Sequence, residues 1–138
     1  MLKKILYNHT KKIRADLLAY VSFKQAKNQL NDIKGIHHPF FITSIPGSLH
    51  IVDLCLQFIP KSQNVILIGN GLNQWELNWA KKNLQVGKII YFQRILRHAD
   101  VIDFLFKHIC SPFGILDYDC FILDPQLFAD FMKIQDNT

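Results

Sequence analysis

Short, unbroken apolar runs divide most of this chain. They begin at Phe40 (Phe40-Phe41-Ile42), Val65 (Val65-Ile66-Leu67-Ile68), Ile89 (Ile89-Ile90-Tyr91-Phe92) and Phe113 (Phe113-Gly114-Ile115-Leu116), with starts separated by 25, 24 and 24 residues. Runs of this length without polar alternation predict strands covered on both faces, the habit of parallel sheets. The segments between them carry helical periodicity. Leu49, Val52, Leu56 and Ile59 share a face before Pro60; Trp75, Leu77, Trp79, Ala80 and Leu84 fill a second helix. Val101, Ile102, Leu105, Phe106 and Ile109 fill a third, with Asp100 in its first turn. A strand–helix alternation repeated three times predicts an α/β domain, a three-layer, mostly parallel sheet. No residue-level repeat relates the units.

Different patterns flank this core. Leu2, Ile5, Leu6, Ile13, Leu17, Tyr20 and Val21 recur at helical spacing among basic residues. They predict one or two amphipathic helices over residues 2–31, ending near Gly35. At the far end, Asp124-Pro125 is a helix start, with Asp as N-cap and Pro at the first helical position. Leu127, Phe128 and Phe131 then form a buried face, and Gln135 to Thr138 run out in polar residues. The chain thus divides into a basic helical segment, 1–36, and an α/β domain, 37–138, which is expected to be incomplete on its C-terminal side.

Charge sharpens that division. The 138 residues are 49% hydrophobic and 20% charged, ordinary values for one globular core. The net charge is +5, yet residues 1–36 hold eight Lys and Arg against two Asp, leaving the remainder one net negative charge. Without a basic face built into the domain, a nucleic-acid partner is not expected. The basic segment has two readings. It is a solvated helix packed on the domain, or residues 1–34 rest on an anionic membrane surface or a protein partner. Cys55, Cys110 and Cys120 sit among apolar residues with no Cys-x-x-Cys pair, so neither a zinc site nor a disulfide framework is expected. Buried thiols in a reducing cytoplasm fit best. No signal peptide or membrane-spanning stretch is expected, so the expected location is the cytoplasm, with the inner membrane face as the surface for a peripheral segment.

The chemistry concentrates at Asp117-Tyr118-Asp119, two carboxylates interrupting the apolar run from Phe113 to Leu123. Buried unpaired carboxylates are costly, so such a pair belongs at a strand end facing a cation or hydrogen-bond donors. Paired oxygen ligands suit Mg²⁺ or Mn²⁺, which share their shell with substrate phosphates. Capping of backbone amides, or pairing with Lys and Arg, is the alternative. The other strand ends are polar too: Thr43-Ser44-Ile45-Pro46-Gly47-Ser48, Gly69-Asn70-Gly71, and Gln93-Arg94 followed by Arg97-His98. Ligands of open α/β sheets bind beyond such ends. Hydroxyls and amides there suit a base or ribose, and arginines suit phosphate.

Simpler readings stand beside these. Gly69-Asn70-Gly71 reads equally as a turn, and it is neither a P-loop nor a dinucleotide fingerprint. His37-His38 read as an exposed loop, and Trp75 and Trp79 as core. His98 and His108 have no evident nucleophile beside them, so no catalytic residue is assigned.

In its successive βα units ending in Ile115-Leu116-Asp117-Tyr118-Asp119-Cys120-Phe121, the chain resembles the nucleotide-sugar-binding half of GT-A-type glycosyltransferases, over about residues 39–131. The resemblance implies a Rossmann-like half-domain binding a nucleoside-diphospho-sugar through Mn²⁺ or Mg²⁺ held by Asp117 and Asp119. It implies Asp119 as the more direct metal ligand and Asp117 facing ribose or metal-bound water. Thr43, Ser44 and Asn70 would lie near the nucleoside, and Arg94 or Arg97 near the diphosphate. Asn70 stands where the family carries an acidic residue. The acceptor-binding half would follow the Asp-x-Asp, so the isolated chain is expected to be a donor-binding portion without turnover. Two alternatives remain: an α/β interaction module with structural carboxylates, and a haloacid-dehalogenase-like phosphatase, against which Cys120-Phe121 and the late position of the motif argue.

Overall fold

A computed structural model describes residues 2–33 and 35–135. Along the chain come α1 (Leu2–Lys27), a 3₁₀ segment (Asn28–Ile33), β1 (Phe40–Ser44), α2 (Leu49–Leu56), β2 (Val65–Asn70), α3 (Gln74–Asn83), β3 (Lys88–Phe92), α4 (His98–His108), β4 (Gly114–Leu116) and α5 (Gln126–Gln135). The four strands form one sheet in the order β3-β2-β1-β4, every pair parallel. The polar end read at residues 136–138 lies outside the described residues.

Burial separates central from edge strands. All residues of β1 and β2 are buried, as unbroken apolar runs require. Alternate residues feed two cores. On one face, Phe40, Ile42, Val65 and Leu67 pack with Leu49, Val52, Leu77, Ala80 and Phe128, from α2, α3 and α5. On the other, Phe41, Ile66, Ile68, Ile90 and Phe92 pack with Val101, Phe104 and Leu105 of α4 and with Ala26, Leu30 and Ile33. The result is a three-layer, Rossmann-like α/β arrangement. The edge strands are only partly covered. At β3, the Gln29 side chain seals the edge by donating to the Tyr91 carbonyl (3.1 Å) and accepting from its N–H (2.9 Å). At β4, Gly114 lies against the Phe40 ring, which a Cβ would strike.

Several apolar residues face elsewhere than periodicity predicts. Trp75 and Phe106, read as core, are exposed, and Phe104 is the fully buried aromatic of α4. Both helices have apolar residues on more than one side, so spacing alone does not identify the inner one. Leu127 is likewise exposed beside buried Phe128. Cys55 is buried, but Cys110 and Cys120 are exposed. In α1 the reversal is larger: Ile13, Leu17, Tyr20 and Val21 point outward, while Ala19, Ser22 and Ala26 are buried against the domain. Small residues permit the close approach, and Phe23 anchors it, its ring tilted against those of Phe104 and Phe92 with centroids 5.1 Å and 6.2 Å away. The side chains of Leu2, Ile5 and Leu6 lie outside the described residues. No described helix is long and apolar enough to cross a membrane.

Candidate functional site

Strand order locates the first candidate. β1, β2 and β3 are added in one direction, and β4 then pairs with the other side of β1, so connections diverge at the carboxyl ends of β1 and β4. That reversal is where ligands of open α/β sheets bind. A cleft of about 310 Å³ opens there, lined by Thr43, Ile45, Asn70, Ile95, Leu96, His98, Val101, Asp117, Tyr118 and Asp119.

Register explains the central contact. Ile42 pairs with Leu116, so the next residues on each strand, Thr43 and Asp117, are side by side. The Thr43 hydroxyl donates to Asp117 Oδ1 at 2.9 Å, closing the ends of β1 and β4 over the cleft. β4 stops at Leu116, and the chain turns, with the Cys120 N–H donating to the Asp117 carbonyl at 3.0 Å. This turn carries Asp119 to an exposed position on the same cleft. Below it, the Cys55 thiol donates to the Tyr118 carbonyl at 3.0 Å. Burial, then the nearby Cys120 and Asp119, push that thiol's pKa up, which keeps it the protonated donor.

The opposite wall is built from β2 and the β3–α4 connection. The Asn70 amide donates to the Leu96 carbonyl (3.0 Å) and its Oδ1 accepts from the Leu96 N–H (2.8 Å). It thus acts as a clamp on that connection. Gly71 lets the connection approach: φ is +80°, and a Cβ there would lie 2.7 Å from the Ile95 backbone nitrogen. Gly71→Ala is expected to cost about 2–3 kcal/mol in urea unfolding, from left-handed strain plus overpacking; a cost below about 0.5 kcal/mol would contradict this.

The remaining candidates separate. The hydroxyl of fully buried Ser44 donates to the Ile68 carbonyl at 3.2 Å, tying β1 to β2. Arg94 is exposed on the β3–α4 connection. Arg97, at the start of α4, is not among the cleft-lining residues. Its guanidinium pairs with Asp100 (2.7 Å) and with Asp16 of α1 (2.8 Å). His98, which the sequence placed among the polar residues after the third strand end without giving it a ligand role, lines the cleft with Nδ1 3.6 Å from Asp117 Oδ1. Its place directly after the third strand end was the available signal. Glu76 is a second residue that patterning missed. It is buried, caps α3 with Asn73, and accepts the Gly47 N–H at 2.7 Å, joining the loops that follow β1 and β2.

Among the described residues, no group of three or more His, Cys, Asp and Glu is arranged to hold a metal. Asp117 and Asp119 are the two carboxylates among the residues that line the cleft. A larger cleft, about 500 Å³, lies near the start of β2 and is lined by residues including Asp53, Gln57, Lys61 and Gln63. It sits away from the strand ends where the polar groups converge.

Comparison with known proteins gives this geometry a context. Residues 14–138 match the family described as the StrH glycosyltransferase N-terminal domain. The chain belongs to this family. It is also similar to the dTDP-dihydrostreptose--streptidine-6-phosphate dihydrostreptosyltransferase of Streptomyces griseus, at 27% identity over 96 residues. The aligned region is 68% of this chain and 24% of that relative, so the chain spans about a quarter of the relative's length. No solved structure matches. Membership of this family identifies a glycosyltransferase-type N-terminal domain.

Proposed function

We propose that the cleft at the β1–β4 reversal binds the nucleoside-diphospho-sugar donor of a GT-A-like glycosyltransferase. The observation that carries this reading is the Thr43–Asp117 hydrogen bond, which holds one carboxylate of the Asp-x-Asp at the sheet's carboxyl edge, beside a cleft, in a glycosyltransferase-family domain. Thr43 orients Asp117, leaving the second carboxylate oxygen for ribose or a bound cation. Ser44 and Asn70 shape the nucleoside pocket by fixing β1 to β2 and the Ile95–Leu96 wall to β2. Arg94, exposed on the adjoining connection, is the residue proposed to reach the diphosphate. Arg97 supports the same connection through its pairs to Asp100 and Asp16. Asp117 and Asp119 would hold Mn²⁺ or Mg²⁺, which when bound offsets the negative charge on the leaving diphosphate. The named relative uses a dTDP-linked sugar, so a thymidine or uridine diphosphate donor is the first choice for this cleft.

The engaged state of Asp117 favours one rival, in which the carboxylates only brace the turn. Calorimetric titration of the chain with thymidine, uridine and guanosine diphosphates, with Mn²⁺ and with chelator, separates the two. Saturable binding strengthened by metal supports the donor site. No binding at millimolar nucleotide, with or without metal, assigns the carboxylates to the turn alone.

A further inference from the structure

The outer face of α1 has no role in the cleft, and its composition is unusual for a solvated surface. Ile13, Leu17, Tyr20 and Val21 are 55%, 61%, 70% and 52% exposed, and Tyr7 continues the stripe toward the N-terminus at 65%. At 3.6 residues per turn, these residues occupy one side of the helix. From Tyr7 to Tyr20 the stripe runs about 20 Å. The domain cannot absorb it, because the opposite side is already docked through Ala19, Ser22, Phe23 and Ala26. The Arg97–Asp16 pair and the Gln29 contacts with Tyr91 hold the helix in that orientation. Contiguous exposed apolar surface of this kind marks an interaction site.

Charge selects the occupant. Arg14 and Lys24 stand within the stripe, Lys11 and Lys27 flank it, and all four are exposed. Residues 1–36 carry six surplus positive charges, whereas the rest of the chain carries one net negative charge. A second copy packed on this face would set the same basic side chains against one another. An anionic lipid surface meets them with opposite charge, takes the Leu, Ile and Val side chains into its acyl boundary, and suits tyrosines at headgroup level. Long Lys and Arg stems reach the headgroups while their methylenes cover apolar surface.

We propose that the outer face of α1 docks this domain on an anionic membrane surface, with the helix lying in the interface rather than crossing it. The proposal is independent of what the cleft binds. The test is co-sedimentation of the full chain with phosphatidylglycerol-rich vesicles and with pure phosphatidylcholine vesicles. Binding to the anionic vesicles is expected, with little to the neutral ones. It should fall at least about tenfold between ~0.1 M and ~1 M salt, as the screening length shrinks from about 10 Å to about 3 Å. Leu17→Glu with Tyr20→Glu should abolish binding at both salts. Arg14→Glu with Lys24→Glu should weaken it at least about tenfold at the lower salt. All four positions are exposed, so the variants should keep the parent's circular dichroism and melting profile. Equal binding to both vesicle types, or variants that bind like the parent, would overturn the proposal. So would a dimer that Leu17→Glu with Tyr20→Glu dissociates while the parent ignores vesicles, since the face would then join two copies.

Discussion

Glu76→Ala is expected to lower the unfolding free energy by about 2–4 kcal/mol, because a buried carboxylate accepting two backbone N–H groups contributes on that scale. Glu76 Oε2 accepts from Asn73 N–H at 2.9 Å and Oε1 from Gly47 N–H at 2.7 Å. The first bond belongs to the capping box that starts α3; the second crosses to the loop between β1 and α2. Removing the side chain leaves both donors without their partner and frees the loop that carries Ile45 into the cleft. Glu76→Gln, which retains one acceptor oxygen, should lose less than Glu76→Ala. Urea unfolding checks the order, and a loss below about 0.5 kcal/mol for the alanine variant would mean that water replaces both bonds.

The second large effect concerns ligand rather than fold. If the cleft takes a nucleoside diphosphate with a cation, chelation should weaken binding at least about tenfold, because the diphosphate then faces two uncompensated carboxylates. Asp119→Asn should remove most of that metal dependence with little change in stability, since the side chain is exposed. Thr43→Val should weaken the metal-dependent increment several-fold by releasing Asp117, whereas Thr43→Ser should preserve it because the hydroxyl still reaches Oδ1. Metal titrations monitored by calorimetry distinguish these variants. Unchanged metal dependence in Asp119→Asn contradicts the assignment.

How much of this was legible in the sequence depends on where each signal resides. The runs at Phe40 and Val65 marked strands because parallel strands covered on both faces must be apolar throughout, and those at Ile89 and Phe113 marked the partly covered edge strands. Asp117 and Asp119 were conspicuous because carboxylates rarely interrupt such a run. Features made by distant partners were not legible. Asn70 reads as a turn or ligand residue in isolation, and only Leu96, 26 residues later, reveals it as a clamp. Arg97 looks available for phosphate until Asp16, 81 residues earlier, is found beside it. Periodicity identified the stripe on α1 but not the direction it faces, because the inner side is built from Ala19, Ser22 and Ala26, which carry little hydrophobic signal. His98 enters the cleft through the path of the β3–α4 connection, which local pattern does not encode.

The central claim is that the donor binds at the β1–β4 reversal, and backbone amide NMR during titration with thymidine diphosphate and Mg²⁺ tests it residue by residue. Saturable shifts are expected at Thr43–Ile45, Leu96–His98 and Asp117–Asp119, and they should diminish when Mg²⁺ is chelated. Shifts confined to Asp53–Gln57 and Lys61–Gln63, at the larger cleft near the start of β2, or no shifts at millimolar nucleotide, would contradict it.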